Sequence, residues 1–283
     1  MTETICFLNG EFLPLSQAKI SVLDRGFIFG DAVYEVIPVY RRKPFRIANH
    51  LQRLQHSLSA IRINNPYHAD AWSQLIVDLI ARNATDDQSL YIQVTRGAAK
   101  RDFGLPQGLT PTVFMTSNPL STPSQEQIQN GVRAVTLTDI RWLRNNIKST
   151  SLLAANMLRQ LAMDAGGAEC VLLRDGYLTE GSSSNIFVVK GETLLAPPKD
   201  HLILPGITYE VVLELAVEQS VTTKVREIHE LEVKSADELL LTSSTREVLA
   251  ITQLDGKAIG HGKPGPVFRR LHRAFQDYKL TWQ

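Results

Sequence analysis

Apolar residues along the chain switch between a period of two and a period near 3.6, and the switches mark its elements. Residues 5–8 and 11–13 flank Asn9-Gly10, a favoured two-residue turn, and read as a hairpin. Residues 32–40, rich in Val, Ile and Tyr, read as a strand. It turns at Arg41-Arg42-Lys43-Pro44 and returns through 45–47. Leu51, Leu54, Leu58 and Ile61 then follow helical spacing, with Asn49 as N-cap. A second helix is predicted over 69–82, and strands over 89–95 and 112–116.

The run from Asn118 to Glu126 holds Pro119 and Pro123 and no apolar periodicity, so it reads as a linker. Beyond it come a strand over 132–137 and a helix over 152–163, stopped by Gly166-Gly167. A hairpin joins 170–173 to 177–179 across Asp175-Gly176, and 185–189 pairs with 193–196 across Lys190-Gly191. A strongly periodic helix covers 207–219, and a last helix lies near 266–278. The fold class is therefore α+β in two domains. A small α/β domain takes 1–118, a linker 119–127, and a larger, strand-rich α/β domain 128–283.

Composition narrows the partners. The formal net charge is +1, with no basic patch, so neither nucleic acid nor an anionic membrane is expected. Cys6 and Cys170 lie far apart with no CxxC pair, which argues against a disulfide framework, and no metal site is expected. The longest apolar stretches are broken by Pro205, Glu210 or Glu214, and the start has no basic leader pattern. A soluble cytoplasmic protein is the expectation.

Chemistry concentrates in a few segments. Lys148 lies in a polar stretch between a strand and a helix, where a side chain is projected rather than packed. To act as a nucleophile its amine must spend time neutral; Arg141 and Arg144 could lend positive charge nearby, or be solvated, or lie at a subunit contact. Glu180 precedes Gly181-Ser182-Ser183-Ser184-Asn185. A lysine amine, a carboxylate and a set of hydroxyls in this order are what a pyridoxal 5'-phosphate (PLP) site requires. The lysine forms the Schiff base, and the carboxylate holds a proton on the pyridine nitrogen. Phosphate calls for N–H groups, hydroxyls and a cation. Pro205-Gly206-Ile207-Thr208 opens a helix, Thr242-Ser243-Ser244-Thr245 follows an apolar strand, and Arg53 is the candidate cation. Tyr34, after a glycine-bearing turn, and Arg101, in a loop, are candidates for substrate contact, since a guanidinium fork matches a carboxylate. Taken singly, each has an ordinary reading as a solvated, capping or core residue.

With these residues assembled, the chain resembles the fold-type IV (class IV) PLP-dependent aminotransferases over almost its whole length. The segments that carry the resemblance are Asp24-Arg-Gly-x-x-Phe-Gly-Asp-x-Val-Tyr34-Glu-Val, Gln93-Val-Thr-Arg-Gly97, Asp139-Ile-Arg-Trp-Leu-Arg144, Ile147-Lys148-Ser149 and Glu180-Gly-Ser-Ser-Ser-Asn185. Within the family they look most like the members that work on D-amino acids. The resemblance implies the two-domain architecture, a homodimer, and active sites near subunit and domain interfaces. It implies Lys148 as Schiff-base lysine and proton shuttle, and Glu180 on the pyridine nitrogen. It implies Arg53, Gly206, Ile207, Thr208, Ser243 and Ser244 around the phosphate, and Leu204 behind the ring. Tyr34 and Arg101 would bind the substrate carboxylate, with Tyr91 at the pocket wall. Members with the fullest carboxylate trap carry a histidine two residues beyond the position of Arg101, where this chain has Phe103. That exchange loses a donor and opens the site to amines without a carboxylate. The alternatives within the family are an (R)-selective amine transaminase, a branched-chain L-amino acid transaminase and a 4-amino-4-deoxychorismate lyase; outside it, a PLP-binding protein without turnover.

Overall fold

A computed structural model describes residues 3–282. The chain forms two compact units. The first takes residues up to Ser121 together with Ile147–Leu152, and the second takes Thr122–Asn146 and Leu153–Trp282.

The first unit is built on a six-stranded antiparallel sheet, in the order Glu11–Pro14, Ile5–Leu8, Thr112–Pro119, Gln88–Thr95, Ala32–Tyr40, Lys43–Pro44. Its central strands obey the period of two. Val33, Ile37, Leu90, Ile92 and Val94 are fully buried and join one core with Leu54, Leu58, Trp72, Ile76 and Leu79 of the helices Ile47–Ala60 and Ala69–Arg82. Tyr34, Val36, Tyr91 and Gln93 alternate with them on the opposite face and are half-buried. Glu35 breaks the pattern as a carboxylate on the apolar face, with 0% exposure.

The second unit carries a nine-stranded mixed sheet. Its order is Thr222–Val225, Thr193–Ala196, Asn185–Lys190, Glu238–Ser243, Glu247–Leu254, Val132–Thr138, Glu169–Arg174, Tyr177–Leu178, with Lys257–Ala258 paired to Glu247–Leu254. The central strands are buried along their length, as Ile186, Phe187, Val188, Leu239, Leu240 and Leu241 show. The helix Ile207–Glu218 is apolar around most of its girth, and buries Tyr209, Val211, Val212 and Leu215. No helix among the described residues is long and apolar enough to cross a membrane.

Several expectations need correction. The helix expected to start at Asn49 begins at Ile47, because Arg46 enters it in the left-handed conformation (φ 51°, ψ 41°) with no side-chain cap. The 119–127 linker is helical from Gln125, since Ser124 and Gln127 close a capping box. The turn before Tyr34 contains a one-turn helix, Arg25–Phe29, capped by Asp24 and ended by Gly30 at φ 65°. The strands 185–190 and 193–196 turn at Gly191-Glu192, one residue later than expected. Residues 147–152 were expected with the second domain. They lie with the first unit, because Tyr34 N–H donates to the Lys148 carbonyl (2.9 Å) and Thr150 N–H to that of Ala32 (3.0 Å).

Candidate active site

In the first unit the helix Ile47–Ala60 places His50, Arg53 and Ser57 on one buried stripe. Ser57 Oγ accepts the N–H of Lys148 (3.1 Å), which fixes that residue's backbone beside the strand carrying Tyr34. Lys148 Nζ stands 4.1 Å from the centroid of the Tyr34 ring. Its Nζ makes no hydrogen bond or ion pair with the described residues. The Tyr34 and Tyr91 rings lie 5.7 Å apart, and Tyr91 donates to Gln93 Oε1 (2.8 Å). Burial pushes the Tyr91 hydroxyl up to about 12, with Tyr34 adding to the shift.

Arg53 is not a free cation. Its Nε and Nη2 donate to Glu35 Oε1 and Oε2, both at 2.8 Å, and His50 Nδ1 lies 2.7 Å from Oε2. Burial alone would raise the Glu35 carboxyl, but Arg53 and His50 reverse this and hold it well below the ordinary range. Burial lowers His50, so its ring is neutral: Nδ1–H donates to Glu35, and Nε2 is buried without a partner. Glu35 is thus the residue that orients Arg53. Glu35→Gln is expected to destabilise the fold by about 3–5 kcal/mol, because it removes the charge that faces a buried guanidinium. Because the folded carboxyl titrates below the unfolded one, that contribution is present above the unfolded pKa and lost as pH falls through the folded one. Thermal melts of both proteins between pH 3 and 7 would measure this, and equal melting curves at pH 7 would refute it.

Arg101 and Phe103 lie in a loop of the same unit. The Arg101 guanidinium is 5.4 Å from the ring centroids of both Phe29 and Phe103, and Phe103 is 81% exposed. Arg25 Nη1 holds the loop through the Asp102 carbonyl (2.6 Å), while Asp31 grips Arg25 and Arg96 at 2.8 and 2.7 Å. The structure brings Lys148, Tyr34 and Tyr91 together. It does not bring Arg101 or Phe103 into hydrogen bond, ion pair or ring contact with them.

In the second unit Glu180 is buried, and both its oxygens are engaged. Arg141 Nη1 bonds Oε1, while Asn185 Nδ2 and the Leu204 N–H donate to Oε2, both at 3.1 Å. Burial pushes the carboxyl up to about 7 in spite of the Arg141 charge. A carboxylate so poorly solvated gains by facing a further cation. Arg141 was a candidate source of charge for Lys148. It is committed instead to Glu180 and to Asp139, whose two oxygens it takes at 2.9 and 2.8 Å.

Asn185 gathers the rest. Its Nδ2 also donates to the Leu204 carbonyl (2.8 Å), and a Cβ on Gly206 would fall 2.2 Å from its Oδ1, so only glycine fits there. Gly206 caps the helix Ile207–Glu218 without a side chain, which leaves the first-turn N–H groups of Ile207 and Thr208 for an anion. Asn185 pairs across the sheet with Thr242, next to Ser243 and Ser244. Thr242 Oγ1 is buried without a partner, and Ser243 Oγ accepts the Arg246 N–H (3.1 Å). This donor set suits a phosphate with an attached cationic ring: uncapped N–H groups, hydroxyls and an under-solvated carboxylate. Among the described residues no cluster suited to a metal ion occurs.

Sequence reasoning singled out Lys148, Glu180, Arg53 and the hydroxyl segments. It missed Glu35, His50, Ser57, Asp139 and Glu169. The signal for Glu35 was present in the alternation of 32–40, which sets it on the apolar face and so demands a partner.

A family model described as amino-transferase class IV matches residues 32–254. The chain is 40% identical over 273 residues to a D-alanine aminotransferase of Bacillus licheniformis, covering 96% of each chain. Among solved structures, it is similar to the branched-chain amino acid aminotransferase of Escherichia coli, with a TM-score of 0.91 at 25% identity over 98% of this chain and 94% of that one. The branched-chain amino acid aminotransferase of Thermoproteus uzoniensis, solved with norvaline, gives a TM-score of 0.89 at 25% identity, covering 98% and 95%. A further branched-chain enzyme, solved with pyridoxamine 5'-phosphate, gives a TM-score of 0.90 at 25% identity, covering 99% and 95%.

Proposed function

The chain belongs to the class IV aminotransferases, and from that premise we propose that it moves the amino group of a D-amino acid, D-alanine in type, to a 2-oxo acid such as 2-oxoglutarate. The observation that carries this reading is the near full-length likeness to D-alanine aminotransferase. PLP, when bound, supplies an aldehyde that receives the amino group and a ring that withdraws electrons.

The chain's own residues do the rest. Lys148 Nζ would hold the cofactor and move the proton of the donor's Cα; its lack of an anionic partner among the described residues suits both tasks. Glu180 would hold a proton on the ring nitrogen, and its poorly solvated carboxyl would make that contact favourable. Leu204 fixes Glu180 through its N–H and would flank the cofactor ring. Gly206 would let a phosphate approach the N–H groups of Ile207 and Thr208, beside the hydroxyls of Thr208, Ser243 and Ser244; Arg53, oriented by Glu35, is the candidate cation for it. Tyr34 and Tyr91 wall the substrate. Arg101, with Phe103 beside it, is the candidate for the substrate carboxylate.

The protein acts as a homodimer in this reading. Support comes from Leu153, Met157 and Leu161, an exposed apolar row at helical spacing on the helix Leu153–Asp164. Two buried free thiols fit a cytoplasmic location. A single-turnover assay tests the function: D-alanine added without an oxo acid should yield one pyruvate per bound PLP and convert the cofactor to its amine form. An unchanged cofactor spectrum would overturn the D-amino acid reading.

The exposed Phe103 ring favours a second reading, as an (R)-selective amine transaminase. Arg101→Ala decides between them. It should lower kcat/KM for D-alanine and D-glutamate by about 30- to 150-fold, the effect of losing one charge-assisted contact. It should affect (R)-1-phenylethylamine far less. Phe103→His should shift the ratio towards the D-amino acid. An equal loss for both donors in Arg101→Ala would show that this arginine only holds its loop.

A further inference from the structure

We propose that Glu169 is a positioning residue for the cofactor, one buried carboxylate that clamps both the 180–185 bend and the 243–246 turn. The inference rests on the roles given above to Glu180, Ser243 and Ser244.

Glu169 opens the strand Glu169–Arg174 and is 0% exposed. A carboxylate there, just before the apolar run Cys170-Val171-Leu172-Leu173, is costly unless every lone pair is used. Its Oε1 accepts the N–H groups of Cys170 (2.9 Å) and Ser182 (3.1 Å) and the Ser182 hydroxyl. Its Oε2 accepts the Ser184 hydroxyl (2.9 Å) and Arg246 Nη1 (3.2 Å). Arg159 Nη1 stands 3.6 Å from Oε1. Burial would raise this carboxyl, but Arg246 and the Ser182 hydroxyl bring it below the ordinary range, so it is ionised.

Apart from Cys170 in its own strand and Arg159 on a helix, the groups around Glu169 belong to two loops. Gly181 N–H bonds the Ser184 carbonyl (2.6 Å), which closes the bend whose ends are Glu180 and Asn185. A Cβ on Gly181 would lie 2.4 Å from Ser184 Oγ and 3.1 Å from Glu169 Cδ, so the bend sits directly on the carboxylate. Arg246 reaches the same carboxylate from the other loop, and its N–H bonds Ser243 Oγ (3.1 Å). A carboxylate that served the sheet alone would need neither serine nor the turn arginine. This one sets the spacing between the group on the ring nitrogen and the hydroxyls on the phosphate.

Arg246→Met and Glu169→Gln test the clamp. PLP is titrated into the cofactor-free full-length variants, followed by absorbance, with melting temperature measured alongside. Arg246→Met should raise the Kd for PLP by about 10- to 100-fold, as loss of a charge-assisted bond does. Its kcat at saturating PLP should stay within a few-fold of the parent. Glu169→Gln should act in the same direction and more strongly; if it does not fold, Arg246→Met carries the test. Ser243→Ala should weaken PLP less in the Arg246→Met background than in the parent. A lowered melting temperature with parental PLP affinity in Arg246→Met would overturn the proposal, because the carboxylate would then serve stability alone. Glu180→Gln and Ser243→Ala in the parent keep the two failures apart. If they weaken cofactor binding or rate while Arg246→Met binds PLP normally, only the clamp falls. If they change nothing, the reading of the site falls, and the clamp with it.

Discussion

Lys148→Ala should fold normally and lose turnover by at least about a thousandfold, the scale expected when a nucleophile and proton carrier are removed together. Normal folding follows from its contacts. The bonds that seat residue 148 are main-chain bonds, to Ser57 Oγ and from the Tyr34 N–H, and alanine keeps both. Among the described residues Nζ has the Tyr34 ring as its partner, so truncation leaves no buried ion unpaired. The melting temperature should therefore stay near the parental value while the visible band of the bound cofactor disappears. Borohydride reduction of the parent with PLP, followed by peptide mapping, should mark Lys148; a label on any other lysine would sink the assignment.

Glu180→Gln should keep the cofactor and lose about 2–3 kcal/mol of transition-state stabilisation, roughly two decades in kcat. A neutral amide can still accept from the Leu204 N–H, but it cannot hold a proton on a pyridine nitrogen. Arg141 keeps its two bonds to Asp139. The same change has a signature without cofactor. Burial raises the Glu180 carboxyl from 4.5 to about 7, so between these values the folded state binds the extra proton. This carboxyl therefore makes the cofactor-free protein less stable as pH rises through that window, opposite in sign to Glu35. Glu180→Gln should remove that slope. An unchanged kcat with an unchanged pH profile would reduce Glu180 to a bend residue.

Local periodicity made the elements legible. Trp72, Ile76, Leu79 and Ile80 recur at helical spacing, and the helix Ala69–Arg82 has the predicted ends. The strand Ala32–Tyr40 likewise follows its β-branched run. Legibility failed where conformation or distance carried the information. The left-handed Arg46 that starts a helix has no side-chain signature. The helix that Ser124 and Gln127 cap lies in a segment with two prolines and no apolar periodicity, which reads as a linker. In the candidate site, Lys148 and Glu180 stood out because their chemistry is local to short segments. Their supports did not. Glu35 meets Arg53 eighteen residues away, Arg141 meets Glu180 across 39, and Glu169 meets Arg246 across 77. Such pairs exist only once the sheets have formed, and periodicity is silent about them.

The central claim is that this chain transaminates D-amino acids on PLP. The most direct measurement is the initial rate with 2-oxoglutarate as acceptor and D-alanine, L-alanine, L-leucine or (R)-1-phenylethylamine as donor, with PLP saturating. The account predicts that D-alanine gives the highest kcat/KM and that L-alanine and L-leucine fall far below it. A preference for L-leucine over D-alanine would contradict it.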